Sequence, residues 1–358
     1  MGSISRREVL AGAAATFAFA NLPNSAFAQV TAFKQAVAEA AASDRDLAAF
    51  YQATGYKAIW TGKGNRDSQR RQQFLRAVAN AGNHGLPTSS YSPELIETNI
   101  RKVRSERDLG RLEVELSRLF LSYARDVQTG VVVPGQVDGG ILRTVPYRSR
   151  QGLLLGFAKS SPSGYFKALP PKTDEYTALM KAKLGLEKEL GSGGWGETVR
   201  AKKLEQGSGG NAVIALRNRL IRMGYLRRTS SAAYDNAMVQ AVAAFQHDHG
   251  LTPDGVAGPS TLKEINRGPE ERLAQVMVSM ERERWMNYPG GRGDRHVYVN
   301  LMDFHTRLYD KGKVSFITRS VVGENRKDKR TPEFSDNMEY MEINPDWTVP
   351  RSILARDY

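Results

Sequence analysis

Residues 211–267 read NAVIALRNRLIRMGYLRRTSSAAYDNAMVQAVAAFQHDHGLTPDGVAGPSTLKEINR, and this stretch decides the fold. Val213, Leu216, Leu220 and Met223 recur at helical spacing on one face, and Gly224 ends the run before Tyr225-Leu226. Asp235 stands at an N-cap, where a carboxylate takes the free N–H groups of the first turn. Met238, Val242 and Phe245 supply a second buried stripe, closed by Gly250-Leu251. Asp254-Gly255 makes a tight turn. Gly258-Pro259 then opens a third helix, with proline at its favoured first position, and Leu262 and Ile265 turn inward. Caps, turns and apolar faces agree on a small three-helix domain.

Upstream, two glycine-rich stretches, Gly191 to Gly194 and Gly207 to Gly210, suit a domain junction and place a boundary near residue 207. From Thr31 to about Tyr176 the pattern is mostly helical. Leu112, Leu116, Leu119, Phe120 and Tyr123 form one amphipathic face, with Glu113, Glu115 and Arg118 expected to face water. Phe50-Tyr51, Tyr56 and Trp60 form an aromatic cluster. His84-Gly85-Leu86-Pro87 reads as a helix end, which makes His84 structural.

Downstream, Leu273, Val276, Met277 and Met280 mark a helix that runs into Glu281-Arg282-Glu283-Arg284-Trp285. The period then changes from helical to alternating. Val297, Val299 and Leu301 interleave with Tyr298, Asn300 and Met302, and Asp310-Lys311-Gly312-Lys313 predicts a hairpin turn before Val314, Phe316 and Thr318.

The 358-residue chain is 41% hydrophobic, enough for two or three domain cores. Arg6-Arg7, the apolar run Ala11 to Ala20, and Ala26-Phe27-Ala28 before Gln29 read as a cleavable export signal over residues 1–28. The paired arginines resemble a twin-arginine signal, with an ordinary secretory signal as the alternative. Cleavage is expected between Ala28 and Gln29, leaving no stable membrane anchor. The net charge of +13 fits an exported protein facing an anionic polymer, or a generally basic surface. Nucleic acid is not expected, because the cations are scattered and no aromatic-basic recognition motif accompanies them.

Leu216-Arg217, Leu220, Gly224-Tyr225-Leu226, Asp235, Ala241-Val242, Phe245-Gln246, Gly250-Leu251, Asp254-Gly255, Gly258 and Thr261 together resemble the three-helix peptidoglycan-binding domain of cell-wall enzymes. Four upstream pieces are similar to the scaffold domain of multidomain L,D-transpeptidases: Phe50-Tyr51 to Trp60, Ala81 to Leu86, Gly130 to Pro134, and Leu169-Pro170-Pro171 before Tyr176. Glu281-Arg282, Arg284-Trp285, Val299-Asn300, Val322-Gly323, Thr331 to Phe334 and the string Asn344 to Ile353 resemble the entry to a YkuD-like catalytic domain. Ser279-Met280 departs mildly from that family, which often has Asn-Leu there.

The resemblance implies a multidomain α+β fold. A helical scaffold domain would span 29–206, a peptidoglycan-binding domain 207–267, and the N-terminal part of a β-rich L,D-transpeptidase domain 268–358. It also implies a periplasmic enzyme that forms 3→3 peptidoglycan cross-links through a Cys thioester. The chain has no cysteine. The catalytic His and Cys are therefore expected beyond Tyr358, and these residues are expected to be inactive as they stand. A non-catalytic peptidoglycan-binding or scaffold protein is the alternative.

The partner is expected to be peptidoglycan, through its stem peptides and glycan, with no cofactor. Arg219, Tyr225 and Gln246 are the candidates for peptidoglycan contact, and Tyr340, Asn344 and Trp347 for a wall of the substrate groove. No metal site is expected. His247 and His249, two apart on a helix, point about 200° apart and cannot grip one ion; both are expected to face solvent. Asp303 with His305 reads as a surface pair, and His296 opens a strand without a partner. No His-Glu-x-x-His motif and no Gly-x-Ser-x-Gly elbow offers a substitute chemistry.

Overall fold

The computed structural model describes residues 31–326, 329–346, 348, 349, 351, 354 and 355; Arg6, Arg7, Ala28, Gln29 and Trp347 lie outside them. Nine helices come first: α1 (Ala32–Ala41), α2 (Arg45–Ala53), α3 (Asn65–Ala79), α4 (Pro93–Lys102), α5 (Glu106–Thr129), α6 (Pro134–Val137), α7 (Arg150–Lys159), α8 (Pro162–Ala168) and α9 (Asp174–Gly191). The small module adds α10 (Asn211–Arg222), α11 (Asn236–Asp248) and α12 (Pro259–Ile265). After α13 (Pro269–Trp285) come three strands: β1 (Arg295–Asn300), β2 (His305–Asp310) and β3 (Lys313–Arg319). The fold is α+β, as expected.

The first core is organised by α5. Ser105 and Asp108 close a reciprocal capping box at its N-terminus, satisfying donors that the helix leaves free. Leu112, Leu116, Phe120 and Tyr123 are buried along the expected stripe. Trp60 and Phe120 each stack on Phe157 at 4.8 Å between ring centroids. At Gly110 a Cβ would lie 2.6 Å from the Phe33 carbonyl oxygen and 2.7 Å from Ala36 Cβ, so only glycine lets α1 approach α5 this closely.

Glu113 does not face water, as its place in the pattern predicts; it is fully buried. Helix α5 packs against α1 and α7 and against the turn carrying Trp60, and the face that carries Glu113 is covered by that turn. The Glu113 carboxylate accepts the backbone N–H groups of Ile59 (2.8 Å), Trp60 (3.1 Å) and Thr61 (2.8 Å), together with the Thr61 and Tyr51 hydroxyls. Those partners replace the water that a buried carboxylate loses. Glu115 and Arg118 are exposed, as expected.

The three-helix module is present, with Asp235 capping α11 by accepting the Met238 N–H at 3.0 Å. Its core extends further upstream than expected. Val199 and Leu204 are buried with Leu216, Leu220, Met238, Val242 and Phe245. Leu204 and Ala257 exchange two backbone hydrogen bonds, of 3.0 and 2.9 Å. The boundary near 207 therefore falls inside this second core. The glycines around Gly207 serve a turn within it.

Helix α13 lies against α9 and α5, and Trp285 shares a small buried cluster with Ile141 and Val145. The first helix assigned to the catalytic segment is thus packed on the scaffold. The three strands form an antiparallel sheet in the order β1-β2-β3. The predicted hairpin turn is there, with Lys311 (φ 50°) and Gly312 (φ 76°) both left-handed, the conformation of a two-residue primed turn. Val297 pairs with Leu308 and Leu308 with Phe316, so these three share one sheet face, which is open to solvent at Val297 and Phe316.

Candidate functional site

Two of the three residues proposed to touch peptidoglycan are consumed inside the module. Arg219 is 3% exposed, and its guanidinium donates to the carbonyl oxygens of Ile265 (2.7 Å), Arg267 (3.1 Å) and Gly196 (2.9 Å). It ties the end of α12 and the preceding linker to α10, and burial lowers its pKa. Gln246 is 2% exposed. Its amide donates to Asp254 Oδ1, the Val256 carbonyl and Thr261 Oγ1, while its oxygen accepts the Gly255 N–H at 2.8 Å. That network holds the Asp254-Gly255 turn. Tyr225 is half-buried against Phe245, with its hydroxyl donating to Asp248 at 3.0 Å. The structure does not bring these three side chains together at one surface.

What the module offers outside is a groove of about 590 Å³ lined by Trp195, Asn218, Arg222, Arg228, Thr229 and Ser230. Asn218 and Arg222, with Ile221 between them, lie on α10; the others belong to the connecting segments.

The histidines are individually accounted for. His84 ends a short 3-10 turn (Ala81–His84), with Gly85 left-handed after it, as the sequence predicts. Its ring stacks on Tyr176, and Nδ1 lies 3.1 Å from the Tyr176 hydroxyl. Burial, and then the nearby Arg284 charge, lower its pKa to about 4. His247 is exposed. His249 is not, contrary to expectation: its ring stacks on Phe245 at 3.9 Å, and Nδ1 contacts the Phe245 carbonyl at 2.7 Å. His296 opens β1 and stacks across the sheet on Tyr309 at 4.7 Å, so it has the partner that its sequence position did not reveal. His305 Nδ1 lies 2.6 Å from the Asp303 carbonyl, while the Asp303 carboxylate takes Arg307 at 2.6 Å. No group among the described residues could hold a metal ion.

In the C-terminal segment, Tyr340 is 80% exposed and Asn344 is exposed in a left-handed conformation (φ 54°). The segment is anchored upstream of them. Leu142 donates its N–H to the Glu333 carbonyl at 2.7 Å, Glu333 donates to the Gly140 carbonyl at 2.8 Å, and the Glu333 carboxylate pairs with Arg282. Arg330 pairs with Asp138 at 2.6 Å.

Glu281, Arg284 and Trp285, read from the sequence only as part of the catalytic-domain resemblance, form a buried cluster where α13 meets the scaffold. Glu281 accepts Trp285 Nε1 (3.0 Å), the Val132 N–H (3.0 Å) and Arg284 (2.6 Å). Arg284 is 1% exposed and also donates to the His84 carbonyl at 2.7 Å. The Glu-x-x-Arg-Trp spacing was the available signal, since residues three and four apart share a helix face.

Comparison with known families finds three matched segments. Residues 45–182 match the scaffold domain, 209–265 the putative peptidoglycan binding domain, and 294–358 the L,D-transpeptidase catalytic domain (YkuD). The chain is also 39% identical over 64 residues to an N-acetylmuramoyl-L-alanine amidase, CwlL, of Bacillus licheniformis, a stretch covering 17% of this chain and 18% of that one. With scaffold, peptidoglycan-binding and YkuD segments in that order, the chain is a peptidoglycan-associated, L,D-transpeptidase-like protein.

Proposed function

We propose that the protein works in the periplasm as a peptidoglycan L,D-transpeptidase that forms 3→3 cross-links through a Cys thioester. Residues 1–358, which contain no cysteine, would supply binding and scaffolding to that reaction but no nucleophile. The observation that carries this reading is the domain order, with a closed three-helix core between a scaffold and the start of a YkuD segment. The amidase relative is named for a bond in the same polymer. Residues 1–28 would direct export through Arg6 and Arg7 and be removed between Ala28 and Gln29. No helix among the described residues is long and apolar enough to cross a membrane. Tyr340, Asn344 and Trp347 would line one wall of the substrate groove.

The absence of a thiol favours a second reading, a non-catalytic peptidoglycan-binding or scaffold protein. Reading the gene past codon 358 separates the two. A continuation with a histidine and a Ser-x-Gly-Cys-x-Arg-like motif supports the first reading; an in-frame stop supports the second. Both readings require binding, which is tested by co-sedimenting the purified chain with sacculi. If the chain stays in the supernatant with a control protein, both fail.

A further inference from the structure

Arg219 and Gln246 point inward, so the groups that meet the polymer must come from the module's surface. The groove beside α10 holds two side chains that fold stability leaves unused. Trp195 is half-buried but belongs to none of the hydrophobic clusters. Among the described residues its indole has no hydrogen bond and no ring or cation partner. Arg228, exposed on the loop after α10, has no ion pair or hydrogen bond among them either. By contrast, Arg222 on the same groove is held by the Ser192 carbonyl at 3.0 Å. Gly194 (φ 72°) and Gly196 (φ 83°) are both left-handed. They let the backbone turn sharply on either side of Trp195, which places its ring in the groove wall.

We propose that this groove is where the chain grips peptidoglycan. The Trp195 indole is a plate for the apolar face of an acetylated amino sugar, and Arg228 takes a carboxylate of the attached peptide. The proposal rests on the peptidoglycan reading above and names its site. Three physical arguments support it. A large flat ring left half in water gains by covering its face, and an amino sugar offers a C–H face of matching size. Asn218, Thr229 and Ser230 supply short donors and acceptors around the ring, which is the pattern of an apolar floor with a few orienting polar groups. An unpaired guanidinium presents a planar fork that matches a carboxylate. Trp195 lies ahead of the segment matched to the binding-domain family, so the site is a composite of module and linker.

The test is co-sedimentation of the full chain with sacculi, comparing wild type with Trp195→Ala, Trp195→Phe and Arg228→Ala. Each alanine variant is expected to bind about tenfold more weakly, the loss that follows from removing a central aromatic or arginine anchor. Trp195→Phe should retain most of the binding, because it keeps a ring. On glycan strands stripped of peptide, Trp195→Ala should still bind more weakly than wild type, whereas Arg228→Ala should match it. Melting temperatures equal to wild type establish that a weakened variant is folded. If wild type itself does not pellet, the peptidoglycan reading falls. If wild type pellets and both alanine variants bind equally well, the groove assignment alone falls.

Discussion

Arg284 donates to the main-chain oxygen of His84 at 2.7 Å, joining α13 to the first core across two hundred residues of sequence. The same guanidinium holds Glu281, and Glu281 holds the Trp285 indole and the Val132 N–H. One buried cation therefore fixes the exit angle of the helix that leads into the sheet.

Arg284→Ala should be strongly destabilising. It leaves Glu281 without its cation and the His84 carbonyl without its donor in a largely dry site. Loss of one partner of a buried pair costs about 3 kcal/mol or more. Urea denaturation of the variant checks this; a loss below about 1 kcal/mol would mean the site is wetter than its burial indicates.

His84 sets a pH dependence. Its pKa is lowered to about 4 in the folded state, against about 6.5 in an unfolded chain. The unfolded chain therefore binds more protons between these values, and stability rises with pH across that window. The contribution is complete above about 6.5 and is lost as pH falls toward 4. Melting temperatures measured from pH 7 to pH 4 should fall less steeply in His84→Gln than in wild type. Identical slopes would remove His84 as the cause.

Glu113→Gln should also destabilise, by about 2–3 kcal/mol, because an amide has a single acceptor oxygen and turns N–H groups toward the Ile59–Thr61 donors. Burial raises the Glu113 pKa, while the hydrogen bonds from Ile59, Thr61 and Trp60 oppose that shift. A variant as stable as wild type would mean the 59–61 turn is held by its aromatic packing alone.

Legibility in the sequence divided along physical lines. Features carried by periodicity or by backbone chemistry were readable: the α5 stripe, the Asp235 cap, the Lys311-Gly312 turn and the Gly85 helix end. Polar residues with internal partners were not. Glu113, Arg219 and Gln246 fall where a helix pattern allows either water or a buried network, and the distinction depends on segments far away in sequence, such as Ile59–Thr61 for Glu113 and Ile265 for Arg219. Val199 and Leu204 were invisible for another reason. They sit in extended chain among glycines and lysines, with no period to mark them as core.

Those two residues make a prediction about the smallest folding unit. A fragment covering 195–267 should be more stable than one covering 211–267. The shorter piece exposes the apolar surface that Val199 and Leu204 cover, worth about 1.5–3 kcal/mol for each side chain. It also loses the two hydrogen bonds between Leu204 and Ala257. Equal melting temperatures for the two fragments would show that the linker packs without contributing. Arg219→Ala should destabilise the longer fragment, since the Ile265, Arg267, Gly196 and Glu197 carbonyl oxygens lose their donor.

The final prediction concerns catalysis. Attack on the L,D amide of a stem peptide needs a thiolate, a base to take its proton, and backbone donors for the oxyanion. The chain has no thiol. A hydroxyl would need an adjacent base with a near-neutral pKa, yet the half-buried His84 is tied to Tyr176, and His249 lies flat on Phe245. His296 is stacked on Tyr309, and among the described residues no serine or threonine hydroxyl hydrogen-bonds to any of these rings. Purified residues 1–358 should therefore produce no 3→3 dimer from tetrapeptide muropeptides, and should take up no mass from a carbapenem, which in the resembled family acylates the cysteine. Mass spectrometry reads both outcomes. A covalent adduct on any residue would refute the claim, and peptide mapping of that adduct would identify the nucleophile directly.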